Sequence, residues 1–417
     1  MDLSKPVTRG ALIGATLALA VSTGSAQQVW TVDANGGGDF TDIPAAIAAA
    51  ADGDRIVVDP ANGFQYAAFT LNRGLVIRAT SGHFNVDNIR IEDVPPGPPA
   101  AVSYAHVDEF VVVARCTNEV ILEGLWFDSF YYDSSNLLID RCTNVSVNDL
   151  KIEQLQFGGA SIGLPTVHLK QSIVRMDRPD IEGATAAAGD AGEDALFVDR
   201  SHLALSSPQI QGGHGDVNTY ISVDAGNGVV VKGNRSTVVI VGTSQDLIRG
   251  GDGGCDDEGG GGCARAGDGL VVLQGDVTVS RVTLEGGANG GQDEVGPVDH
   301  FDQLPVFDMP ADLHLGGNYT LTLDAVQTGR VLLVFSDAGG FWKVPNTLGP
   351  QLSAVPGGAV FDIFALGRTD AAGQWSHGLG WNPDPSTLAT TWTFQLAVLG
   401  DDGNTYLSNA ITRTIGQ

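Results

Sequence analysis

The sequence predicts an all-β protein, with a parallel β-helix under an N-terminal helical cap and a small β-sandwich after it. Two stretches 29 residues apart, SIVRMDRPDIEG from Ser172 and SHLALSSPQIQG from Ser201, align without a gap. A third copy, DVTVSRVTLEGG, starts at Asp276, and STVVIVGTSQDLIRGG from Ser236 fits with a short insertion. Apolar residues recur at two-residue spacing and Gly, Asn or Asp interrupts them, which predicts two or three short strands per coil.

Stacked coils bury their inward residues against the next coil, so equivalent apolar positions should lie about 5 Å apart. The aligned apolar pairs are Val174 with Leu203, Met176 with Leu205, and Ile181 with Ile210. Two earlier coils share the tetrapeptide RCTN, at 115–118 and 141–144, and each copy follows an apolar triplet. The coils are therefore predicted to begin well before the aligned copies.

The N-terminal segment 29–60 reads as a short strand, a Gly-rich turn, an alanine-rich helix and a β-branched strand. The helix, from Asp42 to Ala51, is apolar on nearly every face, and an open end of stacked coils needs such a cover. The segment resembles the start of secreted right-handed parallel β-helix proteins of the pectin-lyase-like group, pectin methylesterases among them. The resemblance implies a right-handed β-helix, with any activity on coils further along the chain.

The sequence divides into three parts. Residues 1–26 have the pattern of a secretory signal, in which basic residues precede an apolar run and small residues end at Ala26. The β-helix is assigned to 27–304. From 305 to 417, separated alternating strands with turns such as 370–373 and 401–404 predict the sandwich.

Composition limits the partners. The apolar run of the signal is too short to span a bilayer, so we expect no transmembrane segment after cleavage. The chain carries 49 acidic and 22 basic residues, a net charge of −27, which argues against nucleic acid as a partner. We expect a secreted or cell-surface protein, with the periplasm as a further location, and a polysaccharide or a cell-surface component as partner.

One set of charged residues has two interpretations. Asp140, Lys170 and Asp199 occupy equivalent places on successive coils, and Arg200 stands beside the last of them. A catalytic groove of the pectate-lyase type would use such carboxylates to hold calcium beside a basic residue. An alternating charge ladder on a solvated sheet face would show the same pattern.

Esterase chemistry has little support. Pectin methylesterases use a Gln-Asp pair and a nucleophilic Asp about 22 residues later in an aromatic strand. Gln245, Asp246 and Asp268 have this spacing, but Asp268 lies in RAGDGL and not in an aromatic strand. General acid and nucleophile have to face each other, and the sequence gives no reason to expect that here.

Long segments follow the glycines of the later repeats, and we expect them to leave one corner of the coils and form a wall on one flank. One of them holds four carboxylates within seven residues. These are Asp252, Asp256, Asp257 and Glu258. A weak calcium site is one interpretation and a solvated acidic loop the other; no other cofactor is expected.

The positions of the four cysteines suggest two possible disulfides. Cys255 and Cys263 bracket DDEGGGG, and we predict a disulfide between them because exported chains favour oxidised cysteines. Cys116 and Cys142 are equivalent on neighbouring coils, within the disulfide range. Their side chains point the same way, so the sequence leaves that bond open.

The expected function is polysaccharide binding, or a structural or adhesive role at the cell surface. The alternative is a polysaccharide lyase or glycoside hydrolase that works on the flank of the β-helix. Three charged side chains that converge in a groove would favour the enzyme, whereas dispersed charges would favour the binding protein.

Overall fold

The computed structural model describes residues 27–416 except 62, 129–134, 154–162, 186–190, 216–222, 255–262, 302–303, 311–312, 315–317, 337–338, 343–346, 349–351, 355–360 and 381–390. Residues 1–26, the predicted signal, lie outside the described residues. Within the described part, no helix is both long enough and apolar enough to cross a membrane.

Among the described residues, the coils contain 29 short strands and one helix, α1 (Ile43–Ala49). In chain order the strands are β1 (Val29–Val32), β2 (Arg55–Val58), β3 (Gln65–Tyr66), β4 (Phe69–Leu71), β5 (Val76–Ala79), β6 (Phe84–Val86), β7 (Ile89–Glu92), β8 (Ala100–Ser103), β9 (Ala105–Val107), β10 (Val111–Ala114), β11 (Val120–Glu123), β12 (Trp126–Phe127), β13 (Leu137–Asp140), β14 (Val145–Asn148), β15 (Lys151–Ile152), β16 (Val167–Lys170), β17 (Ile173–Asp177), β18 (Asp180–Glu182), β19 (Leu196–Asp199), β20 (His202–Ser206), β21 (Gln209–Gln211), β22 (Val229–Lys232), β23 (Thr237–Val241), β24 (Leu247–Arg249), β25 (Leu270–Val272), β26 (Asp276–Ser280), β27 (Thr283–Glu285), β28 (Glu294–Val295) and β29 (Asp299–His300).

These strands form three parallel sheets, and the chain visits them in turn, so the fold is a parallel β-helix. Sheet A has the strand order β1-β2-β5-β8-β11-β14-β17-β20-β23-β26-β29. Sheet B has the order β3-β6-β9-β12-β15-β18-β21-β24-β27, and sheet C has β4-β7-β10-β13-β16-β19-β22-β25-β28. Each complete coil contributes one strand to each sheet, which is three strands where the repeat predicted two or three.

The register of the repeat is confirmed. Val174 pairs with Leu203, Met176 with Leu205, and Ile181 with Ile210. The apolar triplets before the two RCTN copies also pair, since β10 and β13 are neighbours in register. All six residues of the aligned pairs are buried in one core that runs through the coils, because a strand's inward positions meet only the equivalent positions of the next coil.

The helix packs over the first coil as a cap. Ile43, Ala46 and Ile47 are buried in the same core as the strands below. The helix is shorter than the predicted Asp42 to Ala51. Asp42 is its N-cap, whose carboxylate accepts a hydrogen bond from the Ile43 N–H, and at Ala50 the backbone is already extended.

The corner between sheets A and B is tight on most coils. A single residue there adopts a positive φ on successive coils, as in Tyr104, Gly124, Asp149 and Arg178. At Gly124 a β-carbon would lie 2.7 Å from Cδ1 of Tyr104, so only glycine lets that ring lie against the corner. These corners position the aromatic side chains that flank sheet B.

The opposite edge of sheet B carries the long segments. They follow β18, β21, β24 and β27, so the predicted departure from one corner is confirmed for their described ends. There the backbones pack through a series of buried glycines that we call the glycine layer, formed by Gly213, Gly226, Gly251, Gly267 and Gly287. Each N–H from Gly226 onward donates to the carbonyl of the preceding member at 2.8–2.9 Å.

The C-terminal part is a two-layer β module, the predicted small sandwich. Its strands are β30 (Val306–Asp308), β31 (Leu313–His314), β32 (Asn318–Asp324), β33 (Gly329–Ser336), β34 (Gly339–Trp342), β35 (Thr347–Leu348), β36 (Leu352–Ala354), β37 (Phe361–Arg368), β38 (Gln374–Gly380), β39 (Thr391–Gly400) and β40 (Thr405–Gly416). One sheet has the order β30-β32-β38 and the other β31-β40-β39-β33-β37. Side chains from both sheets share one apolar core, to which Leu321 and Phe394 belong.

A buried ion-pair network joins the sandwich to the coils. The Arg413 guanidinium is fully buried and lies 3.1 Å from an Asp177 carboxylate oxygen, itself 4 % exposed. Arg178 bridges the Asp149 carboxylate at 2.8 Å and that of Asp308 at 3.1 Å. Because neither charge of the central pair reaches water, each depends on the other for compensation.

Candidate functional site

The outer face of sheet B carries two adjacent columns of polar side chains. The first column is Asn85, His106, Trp126 and Lys151, which pair in register on β6, β9, β12 and β15. After each residue of the first column, the next residue along the chain points inward and the one after it is acidic. These acidic residues form the second column, which consists of Asp87, Asp108, Asp128 and Glu153. Since neighbouring strands lie about 4.8 Å apart, the face presents a carboxylate at each coil.

His106 is the centre of this face. Its Nδ1 lies 3.1 Å from Asn85 Oδ1 and 3.9 Å from Asp108 Oδ1, while Nε2 lies 2.8 Å from Asp128 Oδ1. The imidazole side chain is only 15 % exposed. The Asp128 oxygen is close to Nε2 but lies off the direction of a hydrogen bond, so the buried Nε2 has no hydrogen-bond partner among the described residues.

The three titratable groups converge. One ligand atom from each of His106, Asp108 and Asp128 lies within 4.8 Å of the other two. Burial raises the pKa of Asp108, and the negative charges of Asp128 and Asp87 raise it further, against the opposing effect of His106. Crowding of carboxylates therefore favours the protonated form of Asp108 or a bound cation.

Aromatic rings border the cluster. Trp126 packs against His106 with ring centroids 4.6 Å apart and ring planes tilted by 31°. Tyr104 packs edge-on to His83, and the Arg78 guanidinium lies 5.0 Å from the Tyr104 ring centroid. Apolar ring surface is thus held in fixed orientation next to the charged columns.

A groove of about 390 Å³ lies beside these rings. It is lined by His83, Tyr104, Gly124, Leu125, Trp126, Asp149 and Lys151. Lys151 forms an ion pair with Glu153, and Trp126 Nε1 donates to the other oxygen of that carboxylate at 3.3 Å. The groove therefore combines ring faces with fixed hydrogen-bonding groups, as binding sites for small molecules do.

The predicted lyase residues lie elsewhere, on the outer face of sheet C. Asp140, Lys170 and Asp199 stand opposite one another on β13, β16 and β19. Lys232 continues the alternation on the next coil. Arg200 lies 2.9 Å from the Asp199 carboxylate and, as a hydrogen-bond donor, lowers its pKa. Asp140, Lys170 and Asp199 thus form a column of alternating charge, and Arg200 is paired with the Asp199 carboxylate beside it.

The predicted calcium loop is described only in part. Asp252 Oδ1 accepts hydrogen bonds from the Arg249 guanidinium and from the Ala288 N–H, each at 2.7 Å. Asp256, Asp257 and Glu258 lie outside the described residues. The one described carboxylate of the set is therefore engaged in the scaffold.

The cysteines and the esterase candidates complete the sequence-derived set. Cys263 is in a disulfide, and Cys255, its predicted partner, lies outside the described residues. Cys116 and Cys142 are buried free thiols on neighbouring coils. Asp246 sits at the corner before sheet B and Asp268 at the corner before sheet C, so they do not share one corner of the coils.

Sequence reasoning missed the sheet B cluster, although a signal was present. An outward residue, an apolar residue and an acidic residue recur as NVD, HVD, WFD and KIE, at 85–87, 106–108, 126–128 and 151–153. The intervals between them vary because the other corners differ in length. Alignment by fixed lag therefore does not bring these triplets together.

A scan against protein-family models finds no match for this sequence, and a search of curated proteins finds no similar one. The assignment of a function consequently depends on the geometry of sheet B.

Proposed function

We propose that the protein is exported and binds a polysaccharide along the outer face of sheet B, in the extracellular space or at the cell surface. The observation that carries this proposal is the groove of about 390 Å³ beside Tyr104 and Trp126. Sugar rings have apolar faces that pack on aromatic rings, and their hydroxyl groups donate to carboxylates. Both kinds of partner are adjacent here.

The repeated column suits a polymer better than a single sugar. Asp87, Asp108, Asp128 and Glu153 follow one another at the spacing of the coils, and Glu182 occupies the same place on the next. A chain of sugars lying along the axis would meet an acceptor on every coil. The aromatic groove would then hold one or two units of that chain.

The negative charge of the protein limits which polysaccharides it can bind. The column is acidic and the whole chain has a net charge of −27, so a polyanion would be repelled at close range. A neutral polysaccharide, or one that carries amino groups, fits this surface. Residues 1–26 support export because they have the pattern of a secretory signal.

A second candidate function is hydrolysis of the same polymer. The observation in its favour is the convergence of His106, Asp108 and Asp128, although none of the three lines the groove itself. Glycosidases pair a protonated carboxylic acid with a second carboxylate a few ångströms away. Burial and like-charge neighbours raise the pKa of Asp108, as the acid of such a pair requires.

One experiment tests both candidates. The purified protein is incubated with a panel of neutral, amine-bearing and acidic polysaccharides, and retention on each polymer is measured together with release of reducing and unsaturated ends. Retention on a neutral or amine-bearing polymer without release of ends is the expected result. Release of ends that Asp108→Asn abolishes, with retention kept, would favour the enzyme. Retention only on acidic polymers would contradict the proposal.

A further inference from the structure

We propose that His106, Asp108 and Asp128 bind a divalent transition-metal ion of the Zn²⁺ class on the outer face of sheet B. His106 lies on β9, and Asp108 and Asp128 directly follow β9 and its neighbour β12, whose relative position the stacked coils fix. One ligand atom of each lies within 4.8 Å of the other two. Metal binding at this cluster does not depend on whether a polysaccharide binds beside it.

The hydrogen bonding of His106 supplies an independent argument. The Nδ1 atom lies within hydrogen-bonding distance of Asn85 Oδ1, at 3.1 Å. A carbonyl oxygen only accepts, so in this arrangement Nδ1 carries the proton and donates. In the neutral imidazole Nε2 then presents a lone pair, and it faces a carboxylate oxygen of Asp128 at 2.8 Å. Two electron-rich atoms at this distance repel unless a positive charge lies between or beside them.

A proton on Nε2 does not fully satisfy this geometry. The Asp128 oxygen lies off the hydrogen-bond direction, and Nε2 is buried without a hydrogen-bond partner among the described residues. A metal ion on the Nε2 lone pair can also be bonded by an oxygen that lies off this axis, because its ligands are arranged tetrahedrally around it. Ligand atoms about 3 Å apart are the normal spacing around an ion whose bonds are about 2.0–2.2 Å long.

Asn85 and Trp126 hold the His106 ring in place, as residues around a metal site usually do. Metal-bound histidines usually donate their other N–H to an acceptor, which fixes the tautomer and the ring orientation. Asn85 does this for His106, and Trp126 holds the ring from one face at 4.6 Å. The imidazole is thus preorganised, with Nε2 as the ligand atom.

The donor set selects the metal. An imidazole nitrogen with two carboxylates suits Zn²⁺ or Mn²⁺, whereas Ca²⁺ prefers six to eight oxygens. Three protein ligands leave at least one coordination position open to water or to a hydroxyl group of a ligand. We therefore expect Zn²⁺ to bind well ahead of Ca²⁺.

The test is calorimetric titration of the full chain with Zn²⁺ and, separately, with Ca²⁺. Wild type should bind one Zn²⁺ per chain at this cluster, and Asp128→Asn should weaken that binding at least tenfold. Asn85→Leu should weaken it about 10–100-fold, because the tautomer is no longer fixed. Co²⁺ absorption in the visible range checks that a nitrogen ligand is lost in His106→Gln.

Asp180→Asn is the matched control, since Asp180 lies on the same sheet face two coils further along, and it should bind Zn²⁺ like wild type. Circular dichroism establishes that each variant is folded. Absence of stoichiometric Zn²⁺ binding in wild type would overturn the proposal. Equal binding by wild type and Asp128→Asn would also overturn it, because the metal would then sit elsewhere.

Discussion

Replacing Gly267 by alanine places one methyl group at the most crowded point of the glycine layer. A β-carbon there would lie 1.8 Å from the Gly226 carbonyl oxygen and 2.5 Å from its carbon. Ordinary contacts begin near 3.4 Å, so the backbones have to separate by more than an ångström. The φ of Gly267 is not in the left-handed region, so alanine adds no backbone strain and the effect is steric.

The expected loss of stability in Gly267→Ala follows from two hydrogen bonds. Gly267 N–H donates to Gly251 O, and Gly287 N–H donates to Gly267 O, both at 2.9 Å. A buried polar group left without its partner costs about 1–3 kcal/mol. Alanine also lowers the entropy of the unfolded chain, which stabilises the folded state by about 0.4–1 kcal/mol. We expect Gly267→Ala to lower the free energy of unfolding by about 1–5 kcal/mol.

The assay is denaturant unfolding of the full chain, followed by far-ultraviolet circular dichroism. Gly97→Ala is the control, because a β-carbon at Gly97 meets no described atom within 4 Å. It should stay within about 0.5 kcal/mol of wild type. If Gly267→Ala is as stable as Gly97→Ala, the glycine layer is not packed as described.

Three further predictions concern the cap, the junction with the sandwich and the response to acid. Ile47→Asp buries an unpaired charge and should cost about 3–5 kcal/mol, whereas Ala48→Asp on the exposed face of the helix should cost little; equal unfolding midpoints would rule out the cap. Asp177→Asn should cost about 3–5 kcal/mol, and less when Arg413→Met is also present, because the buried partner charge is then gone; additive losses in the double-mutant cycle would show that the pair is not coupled. Burial lowers the pKa of His168 from 6.5, so its contribution to stability is present above about pH 6.5 and is lost as pH falls toward the folded-state pKa. His168→Gln should therefore flatten the decline of unfolding free energy between pH 7 and 5, and an unchanged slope would contradict this.

The coil register could be predicted because inward positions repeat with strict alternation. Val174, Met176 and Ile181 sit on strands whose only inward neighbours are equivalent residues of the next coil. A shift by one residue would turn each apolar side chain to the solvent. Repetition of hydrophobicity therefore carries enough information to identify both the fold and the pairing.

The C-terminal end of the cap helix could not be predicted from its run of alanines. Ala50 is extended, and the Asp54 carboxylate accepts a hydrogen bond from the Ala51 N–H at 2.9 Å. This turn ends the helix early. Alanine is compatible with both the helix and the turn, so composition alone extends the predicted helix too far.

The candidate site could not be predicted because it is assembled across coils of unequal length. Asn85, His106, Trp126 and Lys151 are separated by intervals of 21, 20 and 25 residues, and each strand of sheet B offers only two or three residues. The alternating ladder at Asp140 and the next coils is visible in the sequence because its strands are longer and apolar. Only the full register shows which polar residues share a face.

The most direct measurement of the central claim is the affinity of wild type and Trp126→Ala for the polysaccharide that is retained best. Phe197→Ala is the matched control, because Phe197 is a half-buried ring on the outer face of sheet C, where it packs on His168. Loss of one stacked ring is worth about 1.4 kcal/mol, or tenfold in affinity. The account predicts that Trp126→Ala binds about tenfold more weakly and that Phe197→Ala binds like wild type. Equal affinities of wild type and Trp126→Ala, or a loss confined to Phe197→Ala, would contradict binding on sheet B.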